Sequence, residues 1–173
     1  MQIIRSANLI LEPQLATHAD EMFGVLSDPS IYTYENAPPA SVEWLRARFT
    51  KLESRRSADG EEQWLNWVIR RHSSELIGFV QATVRANDNA TIAYVIASSH
   101  WGRGLASEAV KGMIAELAAN YRVRQLSAVF KRDNQRSMRL LERLGFAVAS
   151  PEEQSRADIE TDERLMKMVI PHT

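Results

Sequence analysis

Between residues 64 and 131 the hydrophobic pattern changes period, and the order of that change limits the folds open to the chain. "WLNWVIRR" (64–71), "ELIGFVQATVRA" (75–86) and "ATIAYVIA" (90–97) are short runs rich in β-branched and aromatic residues, separated by "HSS" and "NDN". They read as an antiparallel meander. "GLASEAVKGMIAELAANY" (104–121) then puts Ala106, Ala109, Val110, Met113, Ile114, Leu117 and Tyr121 on one helical face. "QLSAVFK" (125–131) returns to a period of two through Leu126, Ala128 and Phe130. A helix between two strands of one sheet implies a parallel, right-handed crossover. The expected sheet is therefore mixed, antiparallel first and then with a parallel strand pair.

The flanking segments fit around that centre. "IIRSANLILE" (3–12) reads as a strand that Pro13 ends. Pro13 to Ser27 reads as a helix through Leu15, Ala19, Met22, Phe23 and Leu26. "SDPSIYTYENAPP" (27–39) is a loop by its prolines. Ser41 can cap a second helix whose stripe is Trp44, Leu45, Arg48, Phe49 and Leu52. "DNQRSMRLLERLGF" (133–146) is a helix closed by Gly145, and "ERLMKMVI" (163–170) is a last strand. Residues 147–162 carry no strong periodicity and read as a loop. Trp44, Trp64 and Trp67 are expected in the core or on a pocket wall.

A length of 173 residues suits a single domain spanning 1–173, since a domain of about 150 residues already buries roughly 70% of its unfolded surface. The chain has no cysteine, which removes disulfides, thiolate nucleophiles and cysteine-ligated zinc. His18, His72, His100 and His172 show no metal-ligand spacing, so no metal is expected; His100, just before the glycine loop, is placed to approach a phosphate but reads first as a surface residue. The opening "MQIIRSANLILEP" lacks the layout of a signal peptide, and no apolar run approaches the ~20 residues of a membrane helix. The expectation is a cytoplasmic protein with no membrane partner.

Net charge is −1, which argues against a nucleic-acid partner. The charge is unevenly spread. Residues 98–145 hold nine Lys/Arg against four Asp/Glu, whereas Glu152 to Glu163 holds six acids and one arginine. A basic middle suits an anionic ligand on one side of the domain.

"HWGRGLASEAV" (100–110) concentrates that argument, because it places two of the chain's seven glycines two residues apart at a helix entrance. Glycine weakens regular structure, so such a pair marks a backbone that something approaches closely. A phosphate is the natural visitor, since the first helical turn has unpaired N–H groups and a partial positive charge. A Walker loop needs G-x-x-x-x-G-K-[ST], which is absent. A dinucleotide fingerprint needs an acid at the end of the next strand, where this chain has Lys131-Arg132. It would also open the fold instead of following a meander.

A third pattern agrees. "W-G-R-G-L-A" resembles the acyl-CoA pyrophosphate loop of the GNAT superfamily of N-acetyltransferases, [Q/R]-x-x-G-x-[G/A]. Gly104 and Ala106 match its last two defined positions and Trp101 stands where Gln or Arg is usual. "WGRGLASEA" is similar to the W-G-x-G-x-A loops of the ribosomal-protein N-terminal alanine acetyltransferases within that superfamily. "ANLILEP", with Asn8 and Glu12 in place of arginines, resembles their first strand. "ELIGF" looks like their third strand, and "NQRSMRLLERLGF" like their N-x-x-S-x-R-x-L-E-x-L-G-F helix. The resemblance implies an α+β GNAT fold with a mixed central sheet, an antiparallel N-terminal meander, a following parallel pair, and helices on both faces.

It also implies acetyl-CoA as acyl donor and transfer to a primary amine, a protein N-terminus or a small amine, by direct transfer in a ternary complex. Such a reaction needs no covalent enzyme intermediate, which agrees with a chain lacking cysteine and any G-x-S-x-G elbow. By resemblance, the backbone of Gly102, Arg103, Gly104, Leu105, Ala106 and Ser107 holds the pyrophosphate, with charge added by Arg103. Tyr94 to Ala97 matches the strand that pairs with the pantetheine arm, so Val95, Ile96 and Ala97 enter as cofactor-binding through their backbone. The tyrosine that protonates the CoA sulfur in much of the superfamily is Leu141 here. Ser137 takes the place of the subgroup's proposed acid, beside Asn134 and Arg139 of the same helix motif. Asn134 is expected to cap the helix and to contact the pantetheine arm. The subgroup's acidic strand position is Thr91, which leaves Glu35, Glu160 or a relayed water as the base. The acidic stretch after Phe146 favours a cationic acceptor, and the resemblance allows a homodimer. The alternative is a non-catalytic acyl-CoA-binding module, to which the missing tyrosine and Thr91 point.

Overall fold

The computed structural model describes residues 1–34 and 36–171. In chain order they form β1 (Ile4–Arg5), β2 (Leu9–Pro13), α1 (Ala19–Leu26), α2 (Val42–Leu52), β3 (Glu62–Arg71), β4 (Leu76–Arg85), β5 (Asn89–Ile96), α3 (Leu105–Tyr121), β6 (Gln125–Lys131), α4 (Gln135–Arg143), β7 (Ala147–Val148), α5 (Pro151–Arg156) and β8 (Glu163–Val169). The strands make one eight-stranded sheet in the order β1-β2-β3-β4-β5-β6-β8-β7. Its one parallel pair is β5 with β6, joined by the α3 crossover. The mixed sheet expected from the change of period is the sheet observed.

Helices cover both faces. Ala109, Val110, Met113 and Leu117 of α3 and Leu141 of α4 pack with Leu11, Trp67, Ile69, Leu126 and Phe130 of the sheet. On the other face Ala19, Met22 and Leu26 of α1 and Leu45 and Phe49 of α2 pack on Val68 and Leu76. Each fully buried side chain of this size stabilises the fold by about 1.5–3 kcal/mol, so the two layers hold the sheet from both sides. Ser41 caps α2 by accepting the Trp44 N–H at 3.1 Å, as expected. Gly145, at φ +96°, ends α4.

Four local expectations are corrected. The first strand is split by a turn at Ser6–Asn8, whose Ser6 N–H donates to the Leu9 carbonyl at 2.9 Å, so 3–12 is a short hairpin arm and not one strand. The first helix begins at Ala19, after a 3-10 turn over Ala16–His18, because Pro13 is the end of β2 and Leu15 is extended. Residues 147–162 contain β7 and α5, the latter opened by a capping box between Ser150 and Glu153 that the S-x-x-E spacing carries. Trp44 is 49% exposed, with the Arg48 guanidinium over its ring, and belongs to neither core nor pocket wall. Trp67 is fully buried and donates its indole N–H to the Gln2 carbonyl at 3.0 Å.

β5 and β6 pair only where Asn89, Ala90 and Thr91 face Gln125, Leu126 and Ser127. Beyond that point β5 runs on to Ile96 and β6 to Lys131 without pairing to each other, and the sheet opens into a notch. On its other side β5 stays locked to β4 through Ile96 opposite Gly78. A Cβ on Gly78 would overlap the Val95 carbonyl oxygen. Glycine in "ELIGF" thus allows the close approach that fixes the edge of the notch.

Candidate active site

The notch determines which backbone groups are available. The Ala97 N–H donates to the Ile77 carbonyl at 2.8 Å, and the Ala97 carbonyl accepts the His100 N–H at 2.9 Å. The Val95 carbonyl is turned toward Gly78 of β4. Because backbone groups alternate along a strand, Tyr94 and Ile96 present theirs to the notch. The Ile96 carbonyl accepts the Trp101 indole N–H at 2.8 Å.

After a 3-10 turn over Ser98–His100 the chain reaches Gly102 and Gly104, at φ +75° and +76°. A Cβ at either would meet nothing within 4 Å, so what requires glycine in the isolated protein is the left-handed backbone, not crowding. α3 starts at once, with Gly104 as its N-cap. Its free N–H groups border a cavity of about 860 Å³ lined by Gly102, Gly104, Leu105, Ala106 and Ser107 on one side and by Arg136, Arg139 and Arg143 of α4 on the other, with Lys111 beside them. The positive end of the helix and four cations make this groove suited to a polyphosphate. Glu108 also borders it, but its carboxylate is engaged by the Ser6 hydroxyl (2.7 Å), the Asn8 N–H (2.8 Å) and the Asn8 side-chain amide (2.9 Å). Burial works against the charge of Glu108, and these hydrogen bonds outweigh it, holding its carboxyl below the usual range.

His100 is a correction to the sequence reading. It is 6% exposed, bonded through Nε2 to Glu75 at 3.1 Å, and forms part of the groove wall.

A second, smaller cavity of about 180 Å³ lies deeper in the notch, between Tyr94–Ile96 and the start of α4. Asn134 caps α4, its Oδ1 accepting the Ser137 N–H at 3.1 Å, and both residues line this cavity. Ser30, Ile31, Thr33 and Tyr34 close its mouth. Asp28 holds that loop in place by accepting the Ser98 N–H at 3.2 Å and the Ser30 N–H at 2.9 Å, bonds that bring its carboxyl down to about 2. The two cavities share Tyr34, Ile96, Trp101, Ala106, Arg136 and Leu140, so the groove runs into the deeper chamber.

Of the residues singled out in the sequence, the structure collects Gly102, Gly104, Leu105, Ser107 and Arg139 at the larger cavity and Val95, Asn134 and Ser137 at the smaller, with Ile96 and Ala106 at both. Arg103 and Ala97 border neither. Glu160 is exposed and pairs with Lys131, together with Asp162 and Glu163. Glu153 pairs with Lys167 at 2.9 Å. Much of the acidic stretch therefore meets two lysines of the sheet and none of it lines either cavity. Thr91 accepts from Arg85 at 3.0 Å and bonds Ser127 at 3.1 Å, next to the point where pairing stops. Glu35 and His172 lie outside the described residues. Three contributing side chains were missed. Arg136 and Arg143 flank Arg139 at helical spacing, a signal readable from the sequence. The side chain of Tyr94 lines the smaller cavity, a placement that only the notch creates.

Fold and groove together define an acyl-CoA-type acetyltransferase, and comparison with known proteins agrees. The family described as Acetyltransferase (GNAT) domain matches residues 8–147, and the chain belongs to it. An uncharacterized N-acetyltransferase of Bacillus subtilis (strain 168), YoaA, is 26% identical over 147 residues, 83% of this chain and 82% of that protein. Among solved structures, RimL, a ribosomal L7/L12 alpha-N-protein acetyltransferase in complex with coenzyme A, has a TM-score of 0.82 at 18% identity over 98% of both chains. The Microcin C7 self immunity acetyltransferase MccE, in complex with acetyl-CoA and AMP, has a TM-score of 0.79 at 16% identity over 95% of this chain and 94% of its own. The protein is an acetyl-CoA-dependent N-acetyltransferase. A purely acyl-CoA-binding module gives way to that assignment. No helix among the described residues is long and apolar enough to cross a membrane.

Proposed function

We propose that the enzyme moves an acetyl group from acetyl-CoA directly to a primary amine, a protein N-terminus or a small amine, while both are bound. The observation that carries this reading is the continuity of the two cavities at Ile96, Trp101 and Ala106. A donor laid along the basic groove reaches the deeper chamber with its acyl end, and an amine entering past Ser30–Tyr34 meets it there. No cysteine stands between them.

In this reading the N–H groups from Gly102 to Ser107 hold the pyrophosphate, with Arg139 adding charge from α4, while Arg103, which borders neither cavity, contributes through its backbone alone. The Ile96 N–H lies on the same edge of β5 as the Ile96 carbonyl that bonds Trp101, and as the donor of the pair it polarises the thioester carbonyl. Ser137 donates the proton that the leaving sulfur takes up, and Asn134 fixes the helix turn that carries it. Neither cavity has a catalytic carboxylate among its described lining residues apart from the engaged Glu108. The amine accordingly loses its proton to water, or to Glu35, which lies outside the described residues. Glu160, tied to Lys131, is a weaker candidate for the base. The N-terminal acceptor has a parallel on this fold in RimL, a ribosomal L7/L12 alpha-N-protein acetyltransferase, and the small-amine acceptor stands beside it in this reading.

The test is calorimetric titration of acetyl-CoA followed by a thiol-release assay over an amine panel that includes N-terminal peptides. One-to-one binding with thiol released by a subset of amines supports the reading, and Ser137→Ala is expected to lower the rate about 100-fold with binding intact. A covalently acetylated enzyme trapped before amine is added would refute direct transfer.

A further inference from the structure

Tyr94 carries a hydroxyl for which the fold has no use. Its ring packs against the core that α3 and α4 build on the sheet, and its oxygen is buried, with no well-formed hydrogen bond among the described residues and the Ser137 hydroxyl as its polar neighbour. Buried polar groups are nearly always paired, because an unpaired one costs stability that a phenylalanine would not. The oxygen is not remote from the chemistry. Tyr94 and Ser137 line the same small chamber, from β5 and from the first turn of α4.

Ser137 has a chemical weakness as the sole acid of the reaction. Proton transfer is most effective between groups of matched pKa, and a serine hydroxyl does not ionise in the range where a thiol, at about 8.5, does. A phenol, at about 10, is far closer. We propose that Tyr94 supplies, through Ser137, the proton taken up by the departing CoA sulfur. The inference rests on the role given to Ser137 above and deepens it.

The step balances as follows. The amine nitrogen forms its bond to the acetyl carbon, the carbon–sulfur bond breaks, and the electron pair stays on sulfur. Sulfur takes the Ser137 proton as Ser137 takes that of Tyr94. The phenolate regains a proton through Ser137 from solvent after CoA leaves, while the proton lost by the amine goes to water. Burial pushes the Tyr94 phenol above its ordinary value, against the opposing influence of the Ser137 hydroxyl, so Tyr94 is protonated at the start of every turnover. Tyr34 and Arg136 are the other ionisable groups on the chamber wall, and both stay in place in the variants below.

The experiment needs no acceptor. CoA is bound to the wild type, Tyr94→Phe, Ser137→Ala and the double variant, and the bound thiol is titrated by the ultraviolet absorbance of its thiolate. Hydrogen bonds passed from Tyr94 through Ser137 stabilise the thiolate, so each single variant is expected to raise the thiol pKa by about one unit, a tenfold change. The double variant is expected to add little more, because the two hydroxyls act in series. Tyr94→Phe without ligand should melt no lower than the wild type, since it deletes an unpaired buried oxygen and keeps the ring. If Tyr94→Phe titrates as the wild type while Ser137→Ala is shifted, the relay is wrong and Ser137 is the acid by itself. If Ser137→Ala is unshifted, the role given to Ser137 fails and the relay with it.

Discussion

The Arg136 guanidinium lies over the Trp101 indole, 3.6 Å from the ring centroid, while that indole donates its N–H to the Ile96 carbonyl at 2.8 Å. Tryptophan at the loop position therefore ties α4 to the free edge of β5 across the basic groove proposed above for acetyl-CoA. The stack joins the two walls through a cation that also faces both cavities. A phosphate entering the groove competes with the indole for that cation.

Arg136→Ala is accordingly expected to weaken acetyl-CoA binding about tenfold, the lower end of the 1.5–3 kcal/mol typical of a charged hydrogen bond. Wild-type tryptophan fluorescence should change on CoA binding, and the part of that change lost in Trp101→Phe should also be lost in Arg136→Ala. Calorimetry and fluorescence titration of the three proteins check this.

Gly102→Ala and Gly104→Ala separate backbone strain from ligand contact. Neither new methyl meets a neighbour within 4 Å, so each substitution should destabilise the unliganded protein by only about 1–2 kcal/mol, the cost of a left-handed alanine. Acetyl-CoA affinity should fall by more than that cost explains, because the methyls project where the phosphates approach. Denaturation curves with and without CoA measure the two effects separately. Equal losses in both would remove the pyrophosphate from this loop.

Glu108 clamps the β1–β2 turn to the first turn of α3 through Ser6 and Asn8. Its carboxyl is held below the usual range, so the clamp contributes stability above about pH 4 and loses it as pH falls through the folded-state value. Glu108→Gln, which puts a donor against donors, should cost about 1–2 kcal/mol at neutral pH. The gap from the wild type should narrow under acid conditions. Urea denaturation of both proteins at neutral and acid pH tests the sign as well as the size.

Asp28 anchors the mouth of the deeper chamber to Ser98. With its carboxyl at about 2 against an ordinary value of 3.8, the anchor is fully present above about pH 4 and released as the pH falls toward 2. At neutral pH Asp28→Ala should raise the amine KM several-fold and leave the acetyl-CoA Kd unchanged. An altered acetyl-CoA Kd with an unchanged amine KM would contradict the placement of this loop on the acceptor side.

Much of the fold was legible because it is written in local periods. The meander, the crossover helix, the parallel strand and the Asn134 and Gly145 caps each follow from spacing over a few residues. The split of 3–12 was not legible, since Ser6–Asn8 interrupts an apolar alternation with residues that also suit an exposed strand. The turn is decided by Glu108, about a hundred positions away in the chain, which gathers the Ser6 and Asn8 donors. The α5 capping box was readable and was passed over because so short a helix has little apolar pattern of its own.

At the site the division is similar. By itself the sequence determined the glycine loop at the entrance to α3, because left-handed glycines before a helix are a local requirement, and it determined the absence of a thiol nucleophile. It also placed Ser137 at the start of a helix with an inward apolar face. Only the tertiary structure decided that Thr91 and Ser127 are where β5 and β6 part, that the Val95 carbonyl and the Ala97 N–H are turned to β4 while Tyr94 and Ile96 face the notch, and that Glu160 is drawn to Lys131. Those outcomes depend on pairing register and on charges distant in sequence. The same is true of Tyr94, which reads as an ordinary strand residue until the notch brings it to the chamber it shares with Ser137, its oxygen without another partner among the described residues.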